Sequence, residues 1–224
     1  MQYRILYQPS YSLLELHLDP GEGILAESDA MVSMAPNIRM DTGARGGLFG
    51  ALKRTVGGES FFQNTFTAQD SSGTITLAPS LVGDICAREL RGESLFVQSG
   101  SFLASSPSII LDTTWGGART FFSREGLFVL KATGMGTLFM SSYGAIHAVT
   151  LAAGEKLIMD TGHMVAFDAT MGYVVRPIGG LKQTLFSGEG LVVELTGPGT
   201  IYMQTRNFGA FVNYIVPKLP FKRD

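Results

Sequence analysis

Short apolar runs, separated by glycine and acidic residues, fill this chain. Gly73-Thr74-Ile75-Thr76-Leu77 alternates apolar and polar positions, as a half-buried strand does. The pattern returns at Gly136-Thr137-Leu138-Phe139-Met140 and at Gly199-Thr200-Ile201-Tyr202-Met203, so Gly73, Gly136 and Gly199 are evenly spaced. A fixed period with matching residues marks an internally repeated architecture.

Other features recur with it. Gly21-Glu22, Gly92-Glu93 and Gly154-Glu155 each precede an apolar strand. Second strands follow at Met31-Val32-Ser33-Met34, Phe102-Leu103-Ala104 and Met164-Val165-Ala166-Phe167. Glycine pairs come next, at Gly46-Gly47, Gly116-Gly117 and Gly179-Gly180. An acidic turn at Glu59, Glu125 and Glu189 leads back to the Gly-Thr strand. Runs this short, with turn residues about every 8–12 positions, predict an all-β sandwich. The expected arrangement is one domain over residues 1–224. Its three divergent repeats cover about 14–84, 85–146 and 147–207, and an extension covers 208–224.

The first repeat carries extra residues. Leu48, Leu52 and Val56 recur at every fourth position beside Phe49, with Lys53 and Arg54 opposite. That spacing predicts a short amphipathic helix near Leu48–Val56. The apolar stretch Phe208–Phe221 holds Pro217 and Pro220, so it is not a central strand. It is expected to cross the sandwich or a neighbouring subunit.

Composition sharpens this picture. Charged residues are only 16% of the 224, against roughly 25% in an average soluble domain. A surface so poor in charge predicts apolar area covered by another subunit. The net charge of −2 gives no drive towards nucleic acid or anionic lipid. One cysteine, Cys86, excludes an internal disulfide framework. The chain shows no signal peptide and no apolar run of membrane-spanning length. The expectation is a cytoplasmic protein, at most peripheral to the inner face of the membrane.

Candidate chemistry is sparse. His17, His147 and His163 fall at different repeat positions, no His-x-His pair occurs, and His163 with Asp160 could supply two donors. A metal needs three or four converging donors. Ser123 and Ser187 lie near Glu125 and Glu189, but in repeated turns, and no Gly-x-Ser-x-Gly elbow is present. No catalytic, cofactor-binding or metal-binding residue is assigned. The repeated carboxylates Glu22, Glu93 and Glu155 are expected to accept backbone N–H bonds within their turns. Basic residues also follow the glycine pairs, at Lys53-Arg54, Arg119 and Lys182. They are read mainly as solvated turns, with a polyanion-binding ring as the alternative. Trp115 stands beside one of these turns, as an anchor or as core filler.

One run is more specific. Arg45-Gly46-Gly47-Leu48-Phe49-Gly50-Ala51-Leu52-Lys53-Arg54, followed by Gly58-Glu59-Ser60-Phe61-Phe62, resembles the prokaryotic branch of the altered-inheritance-of-mitochondria family. Gly134-x-Gly136-Thr137 and Gly197-x-Gly199-Thr200 look like that family's later turns. The resemblance covers almost the whole chain. It implies repeat-built β-sandwiches, related in shape to the tryptophan RNA-binding attenuator fold and assembled as trimers. Mitochondrial relatives are associated with the inner membrane, and the resemblance supplies no catalytic residues.

The reading favoured by the sequence is a non-enzymatic scaffold or binding protein, assembled as a homotrimer and meeting a membrane surface or a protein partner. Arg45, Leu48, Phe49, Leu52, Lys53 and Arg54 are the candidate membrane or partner contact. Phe211, Tyr214, Ile215 and Val216 are the candidate subunit contact. RNA or another polyanion is one alternative ligand, disfavoured by the charge. A metal-dependent β-barrel enzyme is the other alternative.

Overall fold

The computed structural model describes residues 1–42, 63–112, 128–177 and 191–220. Seventeen strands occupy these residues. They are β1 (Gln2–Leu6), β2 (Leu13–Leu18), β3 (Gly23–Glu27), β4 (Met31–Met34), β5 (Ile38–Thr42), β6 (Gln63–Ala68), β7 (Gly73–Leu77) and β8 (Ile85–Gln98). Then come β9 (Phe102–Ser105), β10 (Ile109–Asp112), β11 (Val129–Ser141), β12 (Ile146–Leu151) and β13 (Lys156–Asp160). The last are β14 (Met164–Asp168), β15 (Gly172–Pro177), β16 (Leu191–Thr196) and β17 (Gly199–Gln204), before a helix α1 (Phe208–Ile215). The expected all-β sandwich is the observed fold.

Alternation decides which way each outer strand faces. On β2, Leu14, Leu16 and Leu18 are fully buried while His17 is exposed. On β7, Ile75 and Leu77 are buried opposite them and Thr74 is exposed. One-sided burial of this kind is the mark of an antiparallel layer with a wet outer face.

Three sheets result. One runs β1-β2-β7-β4, one has ten strands, and one runs β13-β16-β15. The ten-stranded sheet follows the order β12-β17-β14-β8-β11-β9-β3-β6-β5, with β10 on β11. Three hydrophobic cores lie between the layers. The first joins Leu14, Leu16 and Ile75 to Ile24, Phe66 and Phe139. The second takes Leu90 and Leu138 together with Leu95 and Leu130, so both halves of the two long strands enter it. The third sets Met159, Val193 and Leu195 against Phe167 and Ile201. Each fully buried Phe or Leu side chain contributes about 1.5–3 kcal/mol of burial free energy.

The long strands β8 and β11 pair from Val129↔Gln98 to Ser141↔Ile85. Their register slips once, between Thr133 and Met135. Gly134 makes this bulge possible. Its φ is 130°, and a Cβ there would lie 2.3 Å from the Ser108 carbonyl oxygen. Only glycine fits such a position.

The first-repeat helix expected near Leu48–Val56 lies outside the described residues. The helix that is described, α1, sits at the other end of the chain, where the sequence reading stops at two prolines. No helix among the described residues is long and apolar enough to cross a membrane.

Candidate functional site

Three turns use one polar device. Oε2 of Glu22 accepts from Asp19 N at 2.9 Å, that of Glu93 from Arg91 N at 2.9 Å, and that of Glu155 from Ala152 N at 2.7 Å. The Met1 ammonium, with Asp19 N, holds the Glu22 carboxyl below its ordinary range. Backbone N–H groups, with help from Arg88, do the same for Glu93. These carboxylates are turn locks, as expected from their spacing. Glu59, Glu125 and Glu189 lie outside the described residues, as do Trp115, Arg119 and Lys182.

The histidines do not converge. His17 faces Thr74 across the β2–β7 pair, and His147 lies opposite Met203 on β12. The cross-strand partners of Thr74, Thr137 and Thr200 are His17, Glu89 and Thr150. His163 Nδ1 lies 2.7 Å from the Gln204 carbonyl. Asp160 is taken up by local bonds, its Oδ1 accepting from Gly162 N at 2.8 Å and from the side-chain amide Nδ2 of Asn207 at 3.3 Å. Among the described residues no group of three or more His, Cys, Asp or Glu side chains gathers around a point. Burial, with Asp84 nearby, pushes the Cys86 thiol up to about 12, so it stays protonated.

The more informative surface is apolar. Asn207 caps α1 by accepting from Ala210 N at 3.1 Å. Tyr143 meets the rings of Phe208 and Phe211 edge-on, at 6.5 and 5.9 Å between centroids. The helix has Val212 and Ile215 half-buried. None of its residues is buried, and Phe208, Phe211 and Tyr214 are exposed. Val216 and Leu219 continue the exposed apolar surface, and Lys218 Nζ sits 4.3 Å over the Tyr214 ring. Of the candidate subunit contacts, Phe211, Tyr214 and Val216 are therefore exposed, while Ile215 is half-buried. The other candidate group, Arg45, Leu48, Phe49, Leu52, Lys53 and Arg54, lies outside the described residues.

Two features escape the sequence reading. The first is a polar seam between β8, β14 and β17. Arg88 lies 3.8 Å from Glu93 and 3.7 Å from Asp168, and Asp168 Oδ2 accepts from Thr200 N at 2.8 Å. Burial beside it raises the Tyr202 hydroxyl above its ordinary value. The second is the exposure of two strands, β4 and β13. Among the described residues β4 pairs with β7 alone and β13 with β16 alone, as β1, β5, β10, β12 and β15 also have one neighbour each. All four residues of β4 are exposed, Met31, Val32 and Met34 among them, and Ile158 is exposed on β13.

Comparison with known proteins agrees with this architecture. An uncharacterised protein of Streptococcus pyogenes serotype M6 is 31% identical over 229 residues, covering 98% of this chain and 92% of its own. A crystal structure of a Streptococcus pyogenes protein superposes with a TM-score of 0.80 at 30% identity, covering 97% of this chain and 99% of its own. The family model described as mitochondrial biogenesis AIM24 matches residues 3–206. With the match running from β1 to the end of β17, the chain belongs to the mitochondrial biogenesis AIM24 family.

Proposed function

We propose that this protein is a non-enzymatic scaffold that works as a homotrimer, its subunits joined through apolar surface that one chain leaves bare. The observation that carries the reading is α1, an apolar helix with no buried residue. Exposed apolar area of this kind belongs to an interaction surface. The low charge of the chain, 16%, points the same way. The even spacing of the Gly-Thr strands supports a repeat-built subunit, and the three turn-locking glutamates fit it. The cytoplasm is the proposed place of work, since a lone free thiol suits a reducing compartment.

Light scattering behind a sizing column tests the assembly. A mass three times that of the 24.0 kDa chain is expected. A stable 24.0 kDa species at micromolar concentration would remove the scaffold's basis.

A second reading has α1 resting on a membrane surface. Lys218 beside Tyr214, with Lys222 and Arg223 following in sequence, puts cations next to apolar side chains. Flotation with anionic liposomes tests it. Equal recovery of wild type and Phe211→Asp/Tyr214→Asp at low salt would dispose of it.

A further inference from the structure

We propose that β4 of one copy pairs antiparallel with β13 of the next, Ser33 opposite Met159 and Met34 opposite Ile158, joining copies head to tail. This deepens the homotrimer reading, on which it rests, by giving the assembly a specific interface.

The register comes from two seams already closed within the chain. At the first, β9 lies beside β3, with Ala104 opposite Ala26 and Ser105 opposite Leu25. At the second, β14 lies beside β8, with Ala166 opposite Val97 and Phe167 opposite Phe96. Both seams are antiparallel. The strands on one side of these seams are equivalent. Ala104 is the partner of Phe139, Ala166 of Tyr202, and Ser33 of Thr76. Thr76, Phe139 and Tyr202 follow one another at the interval that separates Gly73, Gly136 and Gly199. So Ser33 stands where Ala104 and Ala166 stand, and β4 is the third strand of this kind.

The other side matches too. Val97 is the partner of Leu130, and Met159 is the partner of Val193. Leu130 and Val193 are again one repeat interval apart. Met159 therefore holds the place of Val97, and β13 is the strand that a third seam needs. Within one chain β4 and β13 are not joined. A second copy supplies the missing neighbour of each edge.

Burial agrees. On β9 and β14, Phe102, Leu103, Ala104, Met164, Val165, Ala166 and Phe167 are all buried, covered by the neighbour that each seam provides. On β4, Met31 and Met34 are 38% exposed and Val32 is 58% exposed; Ile158 on β13 is 52% exposed. At the closed seam Phe96 and Phe167 touch at 5.2 Å between rings; Ile158 and Met34 take their places at the open one. The helix α1 starts at the same edge, because Asn207 reaches Asp160 at the end of β13. Its bare apolar side chains are thus tethered beside the arriving strand. A contact between two different edges is heterologous, and it makes a ring when its rotation closes.

The test is disulfide trapping in the full chain carrying Met34→Cys and Ile158→Cys. Directly opposed residues lie about 4.5–5.5 Å apart at Cα, within disulfide reach. Cys86 is the only native cysteine, and burial keeps its thiol protonated. Mild oxidation at low micromolar protein should give bands at two and three times 24.0 kDa that dithiothreitol removes. A particle of three chains that does not cross-link would overturn this interface and leave the trimer standing. A 24.0 kDa particle would overturn both. Equally rapid cross-linking of Met34→Cys with Lys156→Cys, two residues out of register, would overturn the pairing. Ile158→Lys, at an exposed position, should release monomers with an unchanged far-ultraviolet spectrum. An Ile158→Lys protein that keeps the assembled mass would refute the interface.

Discussion

A Cβ placed on Gly83 would lie 1.7 Å from the carbonyl oxygen of Ser142. The two segments are held that close from both sides. Gly144 N donates to Val82 O at 3.0 Å, and Asp84 N donates to Gly144 O at 3.0 Å. The obstacle is backbone, so no side chain can swing away. Gly83→Ala should therefore cost about 2–4 kcal/mol, within the range of severe overpacking. Thermal melting should show it as a fall of about 5–15 °C.

Asp84 makes a second test of the same junction. Its Oδ1 accepts from Gln8 Nε2 at 3.1 Å, Ser12 Oγ at 2.9 Å and Ile85 N at 2.8 Å. The residue is buried. Asp84→Ala leaves these donors without their acceptor, and about 3 kcal/mol of stability should be lost. Urea unfolding measures the loss. Amide exchange in β1 should also accelerate, since Gln8 and Ser12 tie the segment after β1 to the sandwich.

Glu27 gives a pH dependence. Burial, with Asp29 nearby, raises its carboxyl from 4.5 to about 7. The folded chain therefore binds this proton more tightly than the unfolded chain does. The resulting stability is fully present below about pH 4.5 and is lost as pH rises through about 7. Melting temperatures of wild type and Glu27→Gln, followed from pH 5 to 8, should diverge. The variant should be more stable at pH 8 by about 1–2 kcal/mol, a figure already reduced for partial solvent contact.

The cap of α1 can be removed alone. Asn207→Ala loses the bond to Ala210 N and the contact with Asp160. A lost cap costs about 1 kcal/mol, and here the loss falls on a helix with no buried residue. Limited proteolysis should cut after Gln204 several-fold faster, with the main melting transition unmoved.

Cys86 should ignore thiol reagents. With its thiol pushed up to about 12 by burial, almost no thiolate exists at pH 8. Ellman's reagent should find no fast-reacting thiol in native protein and one per chain in denaturant. A fast native reaction would mean that the strand around Cys86 opens.

Local devices were legible in the sequence because they are made within a few residues. Glu22, Glu93 and Glu155 lock their own turns, so glycine followed by glutamate was enough to find them. The strands were legible for the same reason, as on β2, where Leu14, Leu16 and Leu18 set the inward face. Which strands lie at an edge was not legible. Met31-Val32-Ser33-Met34 reads like Phe102-Leu103-Ala104 and Met164-Val165-Ala166-Phe167, yet only the first is exposed throughout. The difference lies in a distant neighbour, present for β9 and β14 and missing for β4, and no local pattern encodes it. The helix α1 was hidden differently. Asn207 is a cap signal, but Pro217 and Pro220 excluded only a central strand and left the element that forms unassigned.

The two long strands have a mechanical consequence. β8 and β11 run side by side over 14 and 13 residues, and strands from either side of them in the chain are tied to this pair, β3 through β9 on β11 and β14 directly on β8. They act as a beam from which the strands on either flank are cantilevered, and the beam cannot shear without breaking a full row of backbone hydrogen bonds at once. Load taken up on one flank of this pair is thus delivered to the other flank.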